Sequence, residues 1–212
     1  AQSLPPGDGS PLEEGGAVRE FMAITAERST QIGNVEEVAA RRKELILGTV
    51  EHLKKTFAPI GCHIRILDRQ ANSLAKAGGF GFWHDITDDH RYLEQPFQGS
   101  SQVAATRQPR IILNPDVKDM AQGVQAGLLP EQMEELRKTT AFITLPLIFS
   151  GRLLGTLTLH FGDDYITKSI EDAVKAVGDG LAGALARLKL ADERYRMADF
   201  FQKLDDSMFQ ES

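Results

Sequence analysis

A chain of 212 residues with 42% hydrophobic and 25% charged side chains can build one sizeable core, or one core plus helical extensions. Its net charge of −6 argues against general nucleic-acid binding, which calls for a basic stripe, and no apolar run approaches the roughly 20 residues that span a bilayer. The single cysteine excludes an internal disulfide framework and any multi-cysteine zinc site.

Residues 1–16, rich in Gly, Pro and Ser, read as a linker without the apolar core of a signal peptide. Val18–Arg28 follows as a short helix, so residues 1–33 are set apart from the domain proper. Asn34 is the predicted N-cap of the next helix, with Glu37 in the capping-box position three residues on. That helix runs to about Phe57 on an apolar stripe of Val35, Val38, Ile46, Val50, Leu53 and Phe57. Pro59-Ile60-Gly61 ends it.

Cys62–Asp68 and Ser73–Ala77 read as two strands joined by the polar turn Arg69-Gln70-Ala71-Asn72, the second leading to a kink at Gly78-Gly79. From Phe80 to Ser101 the pattern is irregular, with Trp83, His84, His90, Tyr92 and Phe97 among acids. Ser101–Thr106 reads as a helical turn and Arg110–Leu113 as a short strand that stops at Asn114-Pro115. Pro130–Lys138 reads as a helix, with Pro at its start and Glu in its first turn.

Phe142–Phe161 contains two β-rich runs around Ser150-Gly151, a pair suited to a tight hairpin. Alternation puts Leu153, Gly155, Leu157, Leu159 and Phe161 on one face, and Thr156, Thr158 and His160 on the other. A sheet with helices on one face and a partly polar second face is a common setting for a small-molecule pocket.

Thr167 or Ser169 opens the last helix, whose first stripe is Ile170, Val174, Val177, Leu181, Leu185 and Leu188. A second stripe, Leu190, Met197, Phe201, Leu204 and Met208, is rotated from the first. A helix of this length outruns a compact domain, so the distal stripe is expected to bury against a second copy. The alternative is a tail folded back as an antiparallel hairpin. Ala at position 1 and a helical pattern still running at Phe209-Gln210 read as a piece excised from a longer protein.

The order of elements resembles the GAF domain, a sensory fold related to PAS. Ser101–Ile112 is similar to the family's segment in which a small helix leads through a-x-G-x-P into the third strand, although Arg107-Gln108-Pro109 replaces the usual Gly-containing pair. Asn114-Pro115-Asp116-Val117 resembles the v-x-D-v that follows. Phe142–Leu159 resembles the hairpin l-x-v-P-l-x-x-x-g-x-x-i-G-v-l-x-l, with Pro146, Gly151 and Gly155 in place. The resemblance covers roughly residues 35–190, giving a GAF-like domain over 34–190 and a C-terminal signalling helix over 191–212.

That resemblance implies an α+β fold with a six-stranded antiparallel sheet, helices on one face, and irregular loops closing a pocket on the other. It also implies a cytoplasmic sensory or dimerising module of a bacterial histidine kinase, diguanylate cyclase, phosphodiesterase or transcription activator. The family binds cyclic nucleotides, haem, bilins, oxoacids, amino-acid derivatives or nothing known, so membership selects neither ligand nor cofactor. Ala191–Arg196 looks like the x-E-R-Y-R connector that precedes PAS domains, consistent with an output domain downstream.

Among the histidines, His52 lies on the first helix beside Glu51 and Lys54 and reads as solvated. Cys62 and His63 are adjacent on a strand and point to opposite faces, so they do not chelate one metal. His84 and His90, in Trp83–Arg91, could face a metal, a haem or another ligand, or sit on a solvated loop balanced by Asp. His160 reads as a strand-end residue at the sheet edge, hydrogen-bonded to a loop. One strand-borne thiol without a resolving partner does not support sulfoxide-reductase chemistry. Gly78–Gly81 lacks the spacing of a phosphate loop, and the Asn-Lys-Phe-Asp run of cyclic-nucleotide-binding relatives is absent.

The expected reading is therefore a non-enzymatic sensor of an unidentified small molecule, homodimeric through its C-terminal helix, with no nucleic-acid or membrane contact in this segment. The expected pocket comprises Trp83, His84, Phe97, Val103, Arg107, Phe142 and Thr144. The aromatics would supply apolar walls, Thr144 a hydroxyl, and Arg107 or His84 a partner for an anion. No catalytic or metal-binding residue is assigned. The alternative is a ligand-free dimerisation module with a collapsed pocket.

Overall fold

The computed structural model describes residues 35–86, 99–116, 129–162 and 166–210, with side chains described as far as Lys203. The predicted linker, the Val18–Arg28 helix, the Asn34 cap, His90, Tyr92 and Phe97 lie outside the described residues.

The first helix, α1 (Val35–Phe57), carries Glu36 and Glu37 in its first turn and Lys54 and Lys55 in its last, complementing the helix dipole at both ends. It buries Val38, Leu45, Ile46, Thr49, Val50 and Leu53. Strands β1 (Gly61–Asp68) and β2 (Ser73–Phe80) form a hairpin. The Asp68 carboxylate closes its turn by accepting from the Gln70 and Ala71 backbone N–H groups at 2.9 and 3.1 Å. Two short helices follow, α2 (Phe82–Ile86) and α3 (Ser100–Thr106), then β3 (Arg110–Leu113). Next come α4 (Pro130–Arg137), β4 (Ala141–Phe149), β5 (Arg152–Phe161) and α5 (Lys168–Gln210).

The strands pair antiparallel in the order β2-β1-β5-β4-β3. This makes five strands among the described residues, where the resemblance implies six. The β4–β5 turn is the predicted one, with Ser150 and Gly151 both at positive φ, which matches the right-handed twist of the flanking strands.

Alternation along β5 holds from Gly155 onward, but not through the whole strand. Leu147 pairs with Gly155 and Ile148 with Leu153, so Leu154 is an extra, bulged residue. The bulge reverses the faces below it. Leu154 packs on the main core, while Leu153, expected beside Leu157, joins Leu74 and Ala104 on the opposite side.

The main core lies between one sheet face and the helices α1 and α5. Ile64, Ile143, Leu147, Leu157 and Leu159 meet Leu45, Leu53, Val174, Val177 and Leu181, all fully buried. Each such side chain contributes about 1.5–3 kcal/mol by leaving water.

Thr167 caps α5, its hydroxyl accepting from the Ile170 backbone N–H at 3.2 Å. The helix is continuous for 43 residues, about 65 Å, which replaces the fold-back alternative with one unbroken rod. Beyond Leu188 its apolar side chains emerge: Leu190, Met197, Phe200 and Phe201 are exposed. Among the described residues no helix is long and apolar enough to cross a membrane.

Candidate functional site

Opposite the main core, the antiparallel register sets polar side chains in line. His63 on β1 pairs with Thr158 on β5, and Thr158 with Thr144 on β4. One level up, His160 pairs with Phe142. None of these residues is exposed by more than 6%.

Helix α3 packs across β4 and β5 and delivers Ser100 to the row. Hydrogen bonds then run from His63 Nε2 to Ser100 Oγ at 3.2 Å, from Ser100 Oγ to Thr158 Oγ1 at 3.2 Å, and from Thr158 Oγ1 to Thr144 Oγ1 at 3.1 Å. Ser100 and Thr158 each take part in two of these bonds, so each can donate one and accept the other without any charge in the row.

Trp83, on α2, closes the upper end. Its indole stacks on the His160 imidazole with ring centroids 5.4 Å apart and planes 13° apart, and its Nε1 donates to Thr139 Oγ1 at 3.1 Å. The rings of His63 and Phe142 flank His160 at 5.2 and 5.9 Å. Both ring nitrogens of His160 are buried without a hydrogen-bond partner. Burial alone pushes its pKa down from 6.5 to about 3, so the imidazole is neutral. Its place on β5, the middle strand, corrects the expected edge position. Its loop hydrogen bond is made by the backbone, the His160 carbonyl accepting from the Ile60 N–H before β1 at 2.8 Å, and not by the ring.

His84 lies beside this cluster, half-buried on α2. Gly79 makes room for it: a Cβ there would lie 2.6 Å from His84 Nδ1 and 2.3 Å from the Cys62 carbonyl. Gly79 is thus part of β2, its missing side chain dictated by this approach, and the predicted strand end moves to Phe80. Burial, and next the charge of Lys76, lower the pKa of His84. Its Nδ1 is buried without a partner.

Of the expected pocket residues, the fold brings together Trp83, Phe142 and Thr144, with His84 beside them and Val103 buried on the α3 helix that covers β4 and β5. Arg107 is not brought there. It takes the left-handed conformation that ends α3, and its exposed guanidinium donates to the Gly151 carbonyl across the hairpin turn at 3.2 Å. It cannot serve as the anion partner expected of it.

His63, Ser100, Thr139, Thr158 and His160 were not expected in the site. A signal for two of them was present, since Thr158 and His160 fall on the polar face of β5. Only the strand order reveals that this face is covered.

Arg65 is also buried on this side of the sheet, at 1% exposure, with Nη1 donating to the Leu74 carbonyl at 3.1 Å. Cys62 points the other way into the main core, and burial pushes its thiol up to about 12. Among the described residues no group of three or more His, Cys, Asp and Glu side chains could hold a metal. A separate cavity of about 230 Å³ lies where α5 leaves the sheet, lined by Arg42, Arg69 and Lys189 over Ile66, Leu154 and Leu188.

The sequence profile of the GAF domain matches residues 19–185. The chain belongs to the GAF domain family. No curated protein matches it in sequence. Solved structures similar to this GAF domain include the GAF domain of an Acinetobacter phosphoenolpyruvate-protein phosphotransferase. That structure is 10% identical, with 81% of this chain and 93% of the other covered and a TM-score of 0.53. Free methionine-R-sulfoxide reductase from Neisseria meningitidis, in complex with its substrate, is 14% identical over 90% and 98% of the two chains, with a TM-score of 0.55. A methyl-accepting chemotaxis protein is 16% identical over 78% and 97%, with a TM-score of 0.52. At these identities the likeness is one of fold. The GAF fold here is α+β, with its long C-terminal helix continuous with the domain, and GAF domains serve as sensory and regulatory modules.

Proposed function

We propose that this GAF domain is a regulatory sensor of a small molecule that signals through α5, as a homodimer, to an output domain such as a histidine kinase, diguanylate cyclase or phosphodiesterase. The observation that carries the reading is His160. Two unpartnered ring nitrogens on the central strand, under an indole, cost about 1–3 kcal/mol each in the unliganded protein. A ligand that pairs with them recovers that energy on binding. The ligand-facing set is Trp83, His84, Val103, Phe142 and Thr144, together with His63, Ser100, Thr158 and His160.

Binding there shifts α5 only if the ligand has different affinities for two arrangements of the helix. The route is short, since β4 and β5 carry the polar row on one face and pack against α5 on the other. The exposed Leu190, Met197, Phe200 and Phe201 supply a surface for pairing two copies along the distal rod. In this reading 1–33 is the lead-in, 34–190 the cytoplasmic sensor and 191–212 the connector.

A regulatory rather than catalytic role is supported by Cys62. The reductase of similar fold reduces a sulfoxide, whereas the one thiol here is buried and held protonated. A ligand-free dimerisation module, its pocket filled by Trp83 and His160 themselves, is the second reading. Mass spectrometry of the denatured extract, with an absorbance spectrum of the intact protein, separates the two. A released small molecule or a visible absorption band supports the sensor. An empty extract, with melting that responds to protein concentration but to no metabolite, overturns it.

A further inference from the structure

The chemistry around His160 narrows what can bind there. Among the described residues its ring neighbours are Trp83, His63 and Phe142, and the hydroxyl chain of Ser100, Thr158 and Thr144 lies on the same sheet face. No charged side chain contributes to its pKa shift, which burial accounts for alone. The buried cation of this face acts on His84 at the entrance but not on His160. Arg65 pairs with Thr156, four residues down β5 from His160, about 13 Å along the strand. Its guanidinium turns further away, to the carbonyl of Leu74, which pairs with Leu67. Arg107, expected as an anion partner, is on the surface at the hairpin turn.

Among the described residues a carboxylate or phosphate at His160 would therefore be buried without a countercharge, a desolvation cost that hydroxyls do not offset. A neutral imidazole offers one N–H and one lone pair. An uncharged group with a carbonyl and an N–H meets either.

We propose that the ligand places an uncharged amide- or lactam-type group on His160, beneath or in place of the Trp83 indole. The inference rests on the sensory reading above and assigns the chemical class of its ligand. His160 supplies the polar contact, and Trp83 and Phe142 the flat apolar walls. His84, also held towards its neutral form, lines the entrance.

Trp83 is the protein's one tryptophan, so its emission reports this site and no other. The full chain is titrated with propionamide and with 2-pyrrolidone, and separately with propionate, the same shape carrying a charge, at matched ionic strength and neutral pH. The amide and the lactam are expected to shift or quench the emission and to bind at least about tenfold more tightly than propionate, a difference of about 1.4 kcal/mol. His160→Phe, which keeps the ring and removes both nitrogens, is expected to abolish the response with the fold intact by circular dichroism. In the parent, the His160 ring-nitrogen resonances are expected to move on binding.

Tighter binding of propionate overturns the inference and leaves the sensory reading standing, as does an anionic molecule in the denatured extract. An unchanged response in His160→Phe also overturns it. Silence towards all three probes overturns it as well, and with an empty extract the sensory reading falls too.

Discussion

The Trp83 indole and the His160 imidazole lie parallel, 5.4 Å apart, although one belongs to a five-residue helix and the other to the central strand. The contact seals from water two nitrogens that no described residue pairs, a costly arrangement. Stability and binding are therefore opposed at this residue.

His160→Phe is expected to raise the stability of the domain by about 1–3 kcal/mol for each of the two unsatisfied polar atoms it deletes, because it keeps the stacked ring. Urea unfolding followed by circular dichroism measures it. A variant less stable than the parent would mean that the imidazole is hydrogen-bonded in the folded protein.

The same residue sets a pH dependence. In the folded domain His160 titrates near 3, whereas in the unfolded chain it titrates at about 6.5. Its contribution is complete above pH 6.5 and is lost as pH falls towards 3, because the unfolded chain takes up the proton first. The loss across that window is several kcal/mol. Urea midpoints of parent and His160→Phe should run parallel above about pH 6.5 and diverge on acidification, falling more steeply in the parent between about 6 and 4. Equal slopes throughout would remove the buried neutral imidazole from the account.

Gly79→Ala is expected to destabilise by about 1–3 kcal/mol or more, since its Cβ would enter the Cys62 carbonyl at 2.3 Å, a backbone atom that cannot swing aside. It would also push on His84 and hence α2, so Trp83 emission should change in the folded state. Wild-type emission with wild-type stability would show that β2 relaxes freely.

Met197→Glu combined with Phe201→Glu is expected to leave domain stability within about 0.5 kcal/mol, because both side chains are roughly 60% exposed. If the distal rod pairs two copies, sedimentation equilibrium should show the parent as a dimer and the variant as a monomer. Identical masses would place any dimer contact elsewhere.

Cys62 should resist alkylation in the native protein at neutral pH and react fully in urea, its thiol being buried and pushed to about 12. Intact-mass measurement follows the label. Rapid native labelling would contradict the packing of β1 against α1.

Much of the architecture was legible because it is written in local periodicity. The stripe from Val38 to Leu53, the alternation of Leu157 and Leu159 with Thr158 and His160, and the Ser150-Gly151 turn each need only near neighbours in the chain. The Leu154 bulge was not legible, because Leu-Leu-Gly satisfies alternation in either register and only pairing with β4 decides which residue is extra.

The site divided along the same line. The sequence alone determined that Thr144, Thr158 and His160 share strands with core residues, that Trp83 and His84 sit in the segment that follows β2, and that one thiol is present. Tertiary structure alone decided that β5 is central, that α3 and Trp83 cover its polar face, and that Arg107 faces the hairpin turn instead. The physical reason is range. Which face a side chain takes is set by the backbone a few residues away, whereas burial, and with it the neutrality of His160, depends on segments 58 and more residues distant in sequence, as Ser100 and Thr158 are.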